Sequence, residues 1–245
     1  MSLKLYLDVA RTAQWAHDIA AIARSHPAVR SGSVALFALP SLPALSLVRQ
    51  EFAGTDVRIG AQDLHWADRG AYTGAVSGQD LGAIGCTLVE VGHAERRELF
   101  GETDEVVADK VAAAFRNGLV PVLCVGEGVL MSPEDAASAC VVQIESALSV
   151  AKIVDGEIIV AYEPVWAIGQ AQPASAEHVR TVVTTLTSRL RQDRRLATPR
   201  VIYGGSAQPG TLTALGDAVD GLFLGRFAHD PAAFGRIVDE AAALR

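Results

Sequence analysis

Residues able to do chemistry stand at the ends of apolar runs. In "IVAYEPVWAIG" (159–169), Glu163 closes an apolar stretch and Pro164 follows at once. Glutamate is seldom fully buried without a partner, and proline argues against continuing a central strand. Glu163 is therefore expected where a buried strand stops and a loop begins. It serves there either as a salt-bridge partner or as a perturbed carboxylate in a cleft. His93 closes "CTLVEVGH" in the same manner, as a core histidine or a site residue. Two glycine-rich turns, Gly204–Gly205–Ser206 and Gly225–Arg226, let the backbone approach a ligand and aim N–H groups at an anion. Asp8, Gln62–Asp63 and Gly126–Glu127 complete the set of strand-end residues.

The elements behind them are legible as alternation. "LKLYLDV", "SVALFAL", "DVRIGA", "CTLVEVG", "LVPVLCVG", "EIIVAYE", "RVIYGG" and "GLFLG" are near-continuous apolar runs, as strands buried on both faces require. Helical patterns lie between them. One starts with the acids of "DEVVADKVAAAFRNG" and another at Ser132–Pro133; others start at Ser175 and Asp230–Pro231. Strands alternating with helices imply a parallel sheet. Eight such units in 245 residues match a closed (β/α)8 barrel forming one domain over 1–245. An open doubly wound sheet would usually carry a glycine fingerprint after the first strand, where this chain reads "DVARTAQ". In a barrel the strand C-termini share one face, so the candidate residues converge there.

Composition narrows the function classes. Apolar residues make up 50% and charged residues 20%, which suits a sizeable core. The formal net charge of −7 argues against nucleic acid as a partner. No run approaches the length of a membrane-spanning helix, so no membrane partner is expected. The N-terminal residues lack a signal-peptide pattern. Cys86, Cys124 and Cys140 read as free thiols of a reducing, cytoplasmic compartment.

Four segments carry a family resemblance: "VEVGHAERRELFGETDEVVADKV" (89–111), "VPVLCVGE" (120–127), "VAYEPVWAIG" (160–169) and "VIYGGS" (201–206). Together they resemble the triosephosphate isomerase family, from about residue 57 onward. The resemblance implies an aldose–ketose isomerase that interconverts dihydroxyacetone phosphate and glyceraldehyde 3-phosphate through an enediolate. It implies a small phosphorylated sugar as substrate and neither metal nor organic cofactor. Glu163 would be the base and His93 a neutral electrophile, with Glu95 in the same catalytic set. Residues 165–175 would form a lid, with Gly169, Ser206 and Gly225 offering N–H groups to phosphate. "GAYTG" (70–74) resembles the family's dimer loop, with Thr73 reaching toward a partner, so a homodimer is implied.

The chain also departs from the family. The usual Asn-x-Lys of the first strand is set against Asp8–Val9–Ala10, which leaves no lysine; a one-residue gap would bring Arg11 there. Ala94 stands for the usual Ser, Gly169–Gln170–Ala171–Gln172 for Gly-Thr-Gly-Lys, and Gly225–Arg226 for paired glycines. Arg226 and Asp8 are therefore expected side by side, either with Arg226 replacing the missing cation at the substrate's anion or as a neutralising salt bridge. Two alternatives stand beside the triose reading. One is an isomerase for another small sugar phosphate, such as a four-carbon ketose phosphate; the other is a non-catalytic metabolite-binding barrel.

Overall fold

The computed structural model describes residues 1–168 and 173–244. Seven strands form one parallel sheet in sequence order: β1 (Phe37–Ala38), β2 (Arg58–Ala61), β3 (Leu88–Val91), β4 (Val120–Val125), β5 (Gly156–Tyr162), β6 (Leu196–Tyr203) and β7 (Gly221–Leu222). Every neighbouring pair is parallel. Helices separate most of them, and the expected ones form where their caps stand. Thr103, Ser132, Ser175 and Asp230 each accept a backbone N–H at the start of Asp104–Arg116, Pro133–Ala147, Ala176–Gln192 and Pro231–Ala243. Among the described residues, no helix is long and apolar enough to cross a membrane.

Two apolar clusters follow from strand alternation. Leu88, Val122, Cys124, Ile159, Ala161 and Ile202 belong to one, on one face of the sheet. Val89, Val91, Leu123, Val125, Val160 and Val201 join the larger cluster with the helices. The register aligns Glu90 with Val122 and Val122 with Ile159, so Glu90 shares the face of Leu88 among apolar neighbours.

The N-terminus differs from the expectation. "LKLYLDV" is not a strand: only residues 1–3 take part in strand-like bonding. Leu3 N–H donates to Leu39 O (3.0 Å) and Leu39 N–H to Met1 O (2.9 Å), while Ser2 N–H donates to Leu224 O (3.1 Å). Residues 1–3 thus bond to chain next to both edge strands. Asp8 does not end a strand. It caps the helix Val9–Ser25, its side chain accepting from Arg11 N–H at 2.8 Å. The competing influence is that cap. An Asp before an amphipathic run (Trp15, Ala16, Ile19 and Ala23 are buried) starts a helix and ends any strand well before it.

Asp8 is well exposed, so its role is local. Asp8→Ala should lower stability by about 1 kcal/mol, the usual cost of losing an N-cap. Urea unfolding measures this; no change in midpoint would show the cap to be dispensable.

Candidate functional site

The site starts with Glu163. β5 ends at Tyr162, and Pro164 (φ −59°) turns the chain away. Glu163 N–H donates to Val125 O at 2.8 Å, holding the residue against the end of β4. Two glycines make the fit possible. A Cβ on Gly126 would fall 1.8 Å from the Glu163 carbonyl oxygen, and one on Gly204 would fall 2.6 Å from its side chain. Glu163 is only 6% exposed, and its Oε2 has no hydrogen-bond partner among the described residues. Burial, then the nearby Glu90 carboxyl, pushes its pKa up to about 8.

His93 faces it, with Nε2 3.4 Å from Glu163 Oε2. His93 caps the helix Ala94–Phe100, and its Nδ1 accepts from Glu95 N–H at 3.1 Å. An accepting Nδ1 puts the neutral ring's proton on Nε2, aimed at the Glu163 side. Burial, then the Lys4 charge, brings the ring's pKa down to about 4. The positive end of the short helix acts in the same sense. The pair is thus an acid–base couple with the carboxyl raised and the imidazole held neutral.

Lys4 is the residue that the sequence reading missed. Its Nζ donates to Glu95 Oε1 at 2.6 Å, and it lines the same cavity of about 370 Å³ as His93 and Glu163. Burial pulls its pKa down, but the Glu95 bond and the charges of Glu95, Glu163 and Glu90 outweigh this and leave it above the ordinary value. Its backbone is left-handed (φ +48°), a conformation costing a non-glycine about 1–2 kcal/mol. Gln62 steadies it, with Nε2 donating to Lys4 O (3.1 Å) and Leu39 O (2.9 Å). Ser2–Leu3–Lys4 therefore stands where the Asn-x-Lys pattern was set against Asp8–Val9–Ala10. The cation is present, four residues before Asp8. The recognisable sign was the helix cap at Asp8, which leaves only the first few residues for the strand.

The remaining candidates divide. Ser206 (φ +45°), Gly225 and Arg226 line the Glu163 cavity. Ser206 Oγ also donates to Ala167 O at 3.3 Å, tying its turn to the segment after Glu163. Asp8 is not brought to this cavity: it pairs with Arg11 (3.7 Å), and the expected Asp8–Arg226 contact is absent among the described residues. Glu95 lies at the cavity as the partner of Lys4. Asp63 instead joins Lys110 (2.6 Å) and Arg96 (3.0 Å) in a neighbouring ion network. Glu127 is fully buried and accepts from Trp166 Nε1 (2.6 Å) and Tyr162 OH (3.2 Å), anchoring the 3-10 turn Val165–Ala167. Gly169 lies outside the described residues. Thr73 sits in an exposed loop away from the Glu163 cavity.

A neutral His93 has a direct spectroscopic consequence. Its ring resonances should not titrate between pH 5 and 8 in heteronuclear NMR. A midpoint near the ordinary value of about 6.5 would contradict the geometry.

The triosephosphate isomerase family profile matches residues 1–241. An L-erythrulose-1-phosphate isomerase of Pectobacterium atrosepticum is 52% identical over 246 residues, covering 100% of this chain and 95% of that protein. A triosephosphate isomerase of a Synechococcus species is 35% identical over 239 residues, covering 96% and 93%. A crystal structure of the triosephosphate isomerase of Bartonella henselae superposes with a TM-score of 0.78 at 29% identity, over 97% of this chain and 95% of that one. The fold is therefore a TIM barrel, and the chain belongs to the triosephosphate isomerase family.

Proposed function

We propose that this protein is an isomerase of a four-carbon ketose 1-phosphate, of the L-erythrulose 1-phosphate type, rather than of triose phosphates. The observation that carries the reading is the 52% identity, along the whole chain, to an L-erythrulose-1-phosphate isomerase, against 35% to a triosephosphate isomerase. The geometry of Glu163, His93 and Lys4 suits the proton transfer that either substrate needs.

In a four-carbon 2-ketose 1-phosphate, C1 carries the phosphate ester and C3 carries a hydrogen and a hydroxyl. Glu163, as carboxylate, takes the C3 proton while His93 Nε2–H donates to the carbonyl oxygen. Lys4 offsets the negative charge of the enediolate. Return of the carbon-bound proton to C2, and transfer of the hydroxyl proton from O3 to O2, moves the carbonyl to C3. The product is again a ketose, so the reaction is ketose–ketose and not the aldose–ketose interconversion first expected. The Ser206 and Gly225 turns and Arg226 are the proposed phosphate end, with Arg226 adding to Lys4 and not replacing it. In the same reading residues 1–3 are the eighth stave of a closed barrel, and the protein works as a homodimer through the Thr73 loop. Sedimentation as a monomer at micromolar concentration would overturn the dimer.

The test is isomerisation in deuterium oxide, followed by NMR, with L-erythrulose 1-phosphate and dihydroxyacetone phosphate in parallel. The four-carbon substrate should be favoured in kcat/KM; preference for the triose would overturn the reading. Glu163→Gln should lower turnover on the preferred substrate by roughly 10²–10⁴-fold or more, the scale of a general base. The pH profile has a definite sign. Glu163 acts as carboxylate, so kcat/KM should rise with pH, about tenfold per unit below its pKa near 8, and level off above. A profile flat from pH 6 to 9 would count against Glu163 as the base.

A further inference from the structure

Glu90 is a buried carboxyl that the proton transfer does not use. It is 3% exposed on β3, among apolar side chains. Its Oε2 accepts from Ser2 Oγ at 2.8 Å, and Cys124 Sγ lies 3.9 Å from its Oε1. No lysine, arginine or histidine among the described residues forms an ion pair with it, although Lys4 is close enough to act through its charge. A buried acid held only by a hydroxyl and a thiol is costly, and an apolar residue would cost less. Burial raises its pKa to about 7, so a protonated carboxyl, able to donate as well as accept, is well populated at neutral pH.

We propose that Glu90 and Ser2 form a specificity subsite for the terminal hydroxymethyl group of a four-carbon ketose phosphate, the part that a triose phosphate lacks. This rests on the substrate reading above. The placement supports it. Ser206, Gly225 and Arg226 line the Glu163 cavity but not the larger cavity beside it. Glu90 lines only the larger one, and Ser2, Lys4 and His93 line both. With phosphate toward the turns and the reacting carbons between His93 and Glu163, the next carbon points away from the turns, toward Ser2 and Glu90. Ser2 has a short side chain and lines both cavities, which leaves room where they meet. A hydroxymethyl group brings one donor and one acceptor, and the Ser2–Glu90 pair matches both.

The experiment is the ratio of kcat/KM for L-erythrulose 1-phosphate over dihydroxyacetone phosphate in three proteins: parent, Glu90→Val and Glu90→Gln. A site built to bind a substrate hydroxyl discriminates strongly against an analogue lacking it. Glu90→Val should therefore lower the ratio by at least about tenfold. Glu90→Gln keeps a donor and an acceptor and should hold the ratio close to the parent's. Equal losses on both substrates in Glu90→Val would overturn the subsite and make Glu90 a tuner of Glu163 or a structural residue. A parent inactive on the four-carbon substrate would instead overturn the substrate reading itself. If Glu90→Val does not fold, Ser2→Ala reads the same ratio: a fall supports the subsite, and an unchanged ratio overturns it.

Discussion

The structure depends on keeping one carboxylate dry and unpaired. The base role proposed for Glu163 calls for a pKa lifted toward neutral, and desolvation supplies most of that lift. A salt bridge would cancel it. The surrounding chain is arranged accordingly. Pro164 stops the strand directly after the glutamate. Gly126 and Gly204 admit its backbone and side chain where any Cβ would collide. The neighbour presented to its free oxygen is a neutral imidazole, not a cation.

The cation is nonetheless close, and its tether explains how both conditions hold. Lys4 spends its hydrogen bond on Glu95, which also donates its backbone N–H to His93. One residue therefore holds the lysine off the base and fixes the histidine tautomer. Lys4 charge lowers the pKa of both His93 and Glu163, while Glu90 raises that of Glu163. Burial sets the main lift on the base, and the Lys4 ammonium and the Glu90 carboxyl adjust it in opposite directions. A change at either position therefore alters the proton affinity of Glu163 as well as any contact with the substrate.

The legible part of the site was the part carried by long, strongly patterned segments. Glu163 and His93 each close an apolar run, so their place at strand ends could be read from neighbours alone. Helix starts at Ser132, Ser175 and Asp230 were visible because a capping oxygen or a first-turn proline has one structural meaning. Lys4 was not visible because the segment before it is too short to show a period. "LKLYLDV" is apolar enough to pass for a strand, but tertiary bonding claims only its beginning. The cap at Asp8 and the buried helical stripe beyond it decide the boundary. Glu90 was hidden for a different reason. Within "CTLVEVG" it is a single acid in a run read as buried on both faces, and only the register shows which apolar neighbours surround it.

That alternation has an evolutionary consequence. On β3 and β4, Glu90 and Cys124 turn to one face of the sheet, while Val89, Val91, Leu123 and Val125 pack in the cluster that includes the helices. Under the proposed subsite, substrate choice and fold maintenance are written in alternate letters of the same strands. One set can be exchanged without disturbing the packing of the other. A change of substrate then calls for new side chains on one face only, and substrate range can shift over a kept frame.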